Sequence, residues 1–162
     1  MKSMLNRLLA PLVFWIGRSL FHSGLGRGSE KKHHRVMKLL RFAADSGYGP
    51  ALSLYGHLLH FRGDGIQNRV QGGIYLQQAA EQGDQKAQYQ MGRIFEAGYE
   101  HYFQPDPSQA LRYYRKAAEQ HHQLAVNRLI QVFEQGELGE AANASAAEYW
   151  RQQKPALEHS AG

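Results

Sequence analysis

The feature that most constrains this chain is an alanine pair that returns three times at a nearly fixed interval. The segments 39–51 (LLRFAADSGYGPA), 75–87 (YLQQAAEQGDQKA) and 113–125 (YYRKAAEQHHQLA) align without gaps. Their pairs, Ala43/Ala44, Ala79/Ala80 and Ala117/Ala118, lie 36 and then 38 residues apart, and Ala51, Ala87 and Ala125 keep the same offsets. A period of this size means one small unit stacked on copies of itself, because a single unit cannot bury its apolar face alone. A fourth copy opens at Ala146: Ala146, Tyr149 and Trp150 fall where Ala110, Tyr113 and Tyr114 fall in the third, and Lys154-Pro155 stops the helix.

Each unit reads as two helices, A and B. In helix A, large apolar residues and the alanine pair recur at helical spacing, and Ser46-Gly47 or Gln82-Gly83 closes it. Glycine there can take the left-handed conformation of a C-terminal cap without steric cost. His121 occupies that same position in the third copy, so a positive φ and local strain are expected at His121. Helix B starts near Pro50, Lys86 and Gln123, carries Gly56 or Gly92 midway, and ends at Gly63, Gly98 or Gly136. A mid-helix glycine costs about 1 kcal/mol relative to alanine, so its recurrence points to close helix packing. Leu58/Leu59 and Ile94/Phe95 supply the apolar ridge. After the second unit a longer loop carries Tyr102, Phe103 and Pro105-Asp106-Pro107, with Ser108 as the expected N-cap of the next helix.

The alanine spacing, the run AAEQGD before AQYQMGRIFEAG and the glycine-ended loops resemble Sel-1-like repeats, a branch of the tetratricopeptide superfamily, over about residues 36–153. The plain tetratricopeptide period is about 34, shorter than both spacings here. The resemblance implies an all-α, right-handed superhelical solenoid of helix-turn-helix repeats with about seven to eight helices. It also implies a protein that assembles others as an adaptor. The expected layout is a single solenoid over 1–154. Within it, 1–28 are a capping helix and loop, 36–65, 70–100 and 108–139 are repeats, and 144–154 are a final helix. Residues 155–162 form a disordered tail.

The N-terminal segment fits the same frame, since Gly17 and Gly24 stand where Gly56 and Gly63 stand. It reads as a lone B helix whose stripe of Leu5, Leu8, Leu9, Leu12, Val13, Ile16 and Leu20 would cover the first repeat. Pro11 should bend it. The rival is an amphipathic helix on an anionic membrane, with Phe14 and Trp15 at the interface and Lys2, Arg7 and Arg18 toward headgroups. Charge keeps that rival in play. Residues 1–41 hold nine basic side chains against Glu30 alone, for +8, so the remainder of a +5 chain carries −3. The apolar stretch 8–17 is about half of what a span needs. As a signal-peptide core it lacks a good small-x-small site before His22.

Catalytic chemistry finds little support. With no cysteine, disulfides, thiolate zinc sites and cysteine nucleophiles are excluded. His57 and His60, three apart on a helix, are two ligands without a third, and the adjacent pairs His33-His34 and His121-His122 point in different directions. The run 24–29 (GLGRGS) lacks the strand and spacing of a phosphate loop and aligns with Gly63-Asp64-Gly65 as an inter-repeat loop. Glu81, Glu96, Glu119 and Glu134 recur at repeat positions, which is what structural carboxylates do.

Two columns of equivalent positions remain. Leu39/Leu40, Tyr75/Leu76, Tyr113/Tyr114 and Tyr149/Trp150 read mostly as core. Arg41, Gln77, Arg115 and Arg151 form the candidate partner surface, three arginines able to grip carboxylates of an acidic protein or peptide by paired hydrogen bonds. The expected function is a non-enzymatic protein-binding scaffold in the cytoplasm, without cofactor or metal. The alternative is a peripheral membrane or periplasmic adaptor that uses Arg7, Phe14, Trp15 and Arg18. Nucleic acid is not an expected partner, because no reading element accompanies the basic third of the chain.

Overall fold

The computed structural model describes residues 2–23 and 30–154. The expected inter-repeat loop at 24–29 and the tail at 155–162 lie outside the described residues. Among those described, eight helices follow one another: α1 Lys2–His22, α2 Glu30–Asp45, α3 Gly49–Arg62, α4 Gly65–Glu81, α5 Gln85–Ala97, α6 Pro107–Glu119, α7 Gln123–Gln135 and α8 Ala144–Gln152. The chain divides into two compact units, Met1–Asp84 and Gln85–Gly162. In the first, α1 packs on α2, α2 on α3 and α3 on α4. In the second, α5 packs on α6, α6 on α7 and α7 on α8.

The alanine pairs do two jobs. All six alanines are buried, and their carbonyls close the helix. At the end of α2 the Gly47 N–H donates to Ala44 O (2.9 Å) and the Tyr48 N–H to Ala43 O (3.2 Å). The ends of α4 and α6 repeat this: Gly83 to Ala80 (3.0 Å) with Asp84 to Ala79 (3.1 Å), and His121 to Ala118 (2.9 Å) with His122 to Ala117 (3.0 Å). This is a Schellman cap, which needs its penultimate residue in the left-handed region. Gly47 and Gly83 stand there at φ 80° and 101°, and His121 at 62°, as its position in the repeat requires.

The mid-helix glycines are contact points. A β-carbon at Gly17 would lie 3.2 Å from Leu39 Cβ and Leu40 Cδ2, one at Gly56 3.0 Å from Leu76 N, and one at Gly92 2.6 Å from the ring of Tyr114. Leu40, Leu76 and Tyr114 are equivalent residues, so one rule, glycine against the large residue of the next helix, builds three helix pairs. In the α7–α8 pair Ile130 takes the glycine position, with Trp150 as the buried large residue of α8. The column is core apart from Leu39, half-buried, and Tyr149, exposed.

Two local expectations need correction. The N-cap of α6 is Asp106, whose carboxylate accepts from the Gln109 N–H at 3.0 Å; Pro107 takes the first helical position and leaves Ser108 inside the helix. The second concerns α1. It packs through Ala10, Phe14 and Gly17, whereas Leu5, Leu8, Leu9, Leu12, Ile16 and Leu20 of the stripe expected to cover the first repeat are exposed. The reason is distance: Ala10 and Gly17 let the helix backbones approach, and a leucine row would hold them apart.

Candidate interaction surface

Three arginines of the candidate column are exposed, and each already holds an acid of its own chain. Arg41 on α2 meets Asp45 one turn on at 3.5 Å. Arg115 on α6 reaches Glu140 at 3.3 Å and lies over the Phe133 ring, 5.7 Å from its centroid. Arg151 on α8 binds Glu134 of α7 and Glu148, the latter at 3.1 Å. These pairings hold the Arg151 guanidinium more firmly protonated than usual, through the hydrogen bonds it donates to Glu134 first and then to Glu148. Gln77 on α4 is half-buried. The arrangement is a set of exposed cations on rigid helices, each with a carboxylate that an incoming carboxylate could displace.

The second unit also holds a polar cluster that sequence reading did not assemble. Arg128 of α7 donates to both oxygens of Glu96 of α5, with Nη2–Oε1 at 2.5 Å and Nε–Oε2 at 3.3 Å, and also to Glu137. The Tyr114 hydroxyl donates to Glu96 Oε2 at 2.6 Å. Burial pushes the Glu96 carboxyl up, but the bonds from Arg128 and Tyr114 outweigh it and hold the group below its usual range. Burial, together with the bond to Glu96, raises the Tyr114 hydroxyl well above its ordinary value. A smaller counterpart sits in the first unit, where Tyr75 donates to Asp45 and is raised by burial and then by that bond. Glu96 and Glu134 are equivalent repeat positions, and both hold arginines. That recurrence was the one available signal, and the identity of the arginine was not in it.

The remaining candidates separate. Phe14 is buried, edge-on to Tyr48 with ring centroids 5.4 Å apart, so it belongs to the core and is not available to an interface. Trp15 is 72% exposed. Arg7 lines a shallow cleft with Ser46, Gly47, Tyr48 and Gln82, and Arg18 is exposed. His57 Nδ1 donates to Ser53 O at 2.7 Å, which commits that ring nitrogen to its own helix. Among the described residues no helix is long and apolar enough to cross a membrane. In the extended loop, Phe103 is buried edge-on to Phe95, while Tyr102 is exposed.

Residues 49–84 and 85–122 match the Sel1 repeat family model. Those boundaries pair α3 with α4 and α5 with α6, the helix pairs joined by Gly56–Leu76 and Gly92–Tyr114. The A-then-B phasing 36–65, 70–100 and 108–139 cuts the same helices half a period away, and a repeat has no intrinsic start. The fold is similar to that of a Sel1 repeat protein from Oxalobacter formigenes, with a TM-score of 0.70 and 22% identity over 88% of this chain and 56% of that one. It is also similar to a protective antigen of uropathogenic Escherichia coli with an SLR fold: TM-score 0.69, 27% identity, 87% of this chain and 30% of the other. An immunity protein from Pseudomonas aeruginosa gives 0.57 at 20% identity, over 93% and 57% of the two chains. The chain therefore spans about half or less of the first two proteins' lengths. A search among curated proteins finds no match. The likeness shows the fold, an all-α solenoid of helix-pair repeats.

Proposed function

We propose that this chain, which carries two Sel1 repeats at residues 49–84 and 85–122, is a non-enzymatic scaffold that binds a partner protein or peptide. Sel1 repeats generally serve protein–protein interaction, and that coarse role is the premise. The observation that carries the finer reading is the recurrence of an exposed arginine, at Arg41, Arg115 and Arg151, at a position whose neighbours along the helix are mostly core. A partner presenting carboxylates would exchange with Asp45, Glu140 and Glu134. Exchange of one exposed pair for another is nearly neutral in energy, so such contacts contribute register and specificity more than affinity. Localisation in the cytoplasm belongs to the same proposal; the packing of α1 on α2 through Ala10, Phe14 and Gly17 supports its being a retained part of the fold.

The test is affinity capture with wild type and with the Arg41→Glu, Arg115→Glu, Arg151→Glu variant, helicity checked by circular dichroism. The captured protein is then purified and titrated against both forms. A reconstituted complex that the folded variant weakens supports the arginine surface, and equal binding to both forms removes it.

A further inference from the structure

The outward face of α1 is unaccounted for by the fold and by the scaffold reading. Leu5, Leu8, Leu9, Leu12, Trp15 and Ile16 all lie on it, with Leu8 75% and Leu12 60% exposed. The opposite face is occupied, since Ala10, Phe14 and Gly17 pack inward. At 3.6 residues per turn these exposed apolar positions sweep about a third of the circumference. A monomer in water rarely carries so continuous an apolar strip unless something binds there.

We propose that this face docks on an anionic lipid surface, α1 lying in the plane of the interface. Charge selects this occupant. There is no acid anywhere in α1, and Arg7 and Arg18, eleven residues or about three turns apart, fall on one side of the helix, between the buried Phe14 and the Trp15 edge of the apolar strip. α2, packed against α1, adds exposed Lys31, Lys32, Arg35 and Lys38. Its two acids are Glu30 and Asp45, and Asp45 is already engaged by Arg41 and Tyr75. A second copy docking by the same face would bring two strongly basic segments together, which disfavours self-association. A bilayer with anionic headgroups meets both needs: the leucines enter the acyl boundary, the arginines reach phosphates, and the indole of Trp15 sits at headgroup depth. No described helix is long and apolar enough to cross a bilayer, and the contact proposed here is interfacial. Phe14, buried against Tyr48, is excluded from the contact.

Vesicle flotation of the full chain tests this, using phosphatidylcholine vesicles with and without phosphatidylglycerol. The wild type should float with the anionic vesicles, weakly or not at all with the neutral ones, and progressively less as salt rises. Leu8→Glu with Leu12→Glu should reduce flotation by more than about ten-fold while leaving helicity intact, since both side chains are exposed. Arg7→Glu with Arg18→Glu should act through the anionic component alone. As a readout that needs no disruptive variant, brominated lipid should quench wild-type fluorescence and not that of Trp15→Phe. The proposal is overturned by absence of flotation at low salt, by flotation indifferent to the leucine variant, or by quenching that survives Trp15→Phe. It is equally overturned by a wild-type dimer that the leucine variant converts to monomer, because the occupant is then a second copy.

Discussion

Gly92 of α5 and Tyr114 of α6 are in closest-approach contact: a β-carbon at position 92 would stand 2.6 Å from both Cδ1 and Cε1 of the tyrosine ring. The ring cannot yield easily, because it is buried and its hydroxyl is tied to Glu96.

Gly92→Ala should therefore destabilise the protein. Overpacking costs about 1–3 kcal/mol, and the roughly 1 kcal/mol gained in helix propensity offsets only part of it. Gly17→Ala should cost less, since its neighbours Leu39 and Leu40 stand farther off at 3.2 Å. Urea denaturation of both variants gives the order, and a more stable Gly92→Ala protein would contradict the packing rule.

His121→Gly should stabilise the chain by up to about 1 kcal/mol, because His121 sits at φ 62° in a cap where Gly47 and Gly83 serve its two equivalents. Gly83→Ala should lose a comparable amount. Thermal unfolding of the two variants reads both effects, and a lower midpoint for His121→Gly would contradict the assignment.

Asp106→Ala should cost about 1 kcal/mol through loss of the helix cap, while Ser108→Ala should be close to silent. The reverse order in chemical denaturation would return the cap to Ser108.

Glu96 has a folded-state affinity for protons below the ordinary carboxylate range, so the unfolded chain protonates there first as pH falls. Its contribution is present above the unfolded value and lost as pH drops through the folded one. Tyr75 and Tyr114 are raised, so their contribution is present below the ordinary tyrosine range and lost at higher pH. Stability measured against pH should fall at both ends. Arg128→Ala should flatten the acid limb, and Tyr75→Phe with Tyr114→Phe the alkaline one.

Much of this was legible because it is local or repeated. The alanine pairs declare helix A, the Gly47 and Gly83 positions declare its cap, and alignment alone places His121 in the left-handed region. The Gly56 and Gly92 column announced close packing, and Leu76 and Tyr114, also read from the repeat, turned out to be what the glycines touch. One helix-level feature, the cap of α6, was misread. Asp106 and Ser108 are both good caps by residue type, and the start of α6 at Pro107 chose between them.

What the amino-acid order determined by itself was therefore the repeat, its helices, the glycine caps that end them and the positions of close packing, since each depends on residues within a turn or on a position copied from one unit to the next. What only tertiary structure decided was orientation and pairing. α1 is apolar on both its leucine face and its Ala10–Phe14–Gly17 face, and periodicity cannot say which one is buried; close backbone approach selected the small residues and turned the leucines outward. Glu96 meets Arg128 across 32 residues, and Arg151 meets Glu134 across 17. Those pairings exist because packed helices set the distances, which no local pattern encodes.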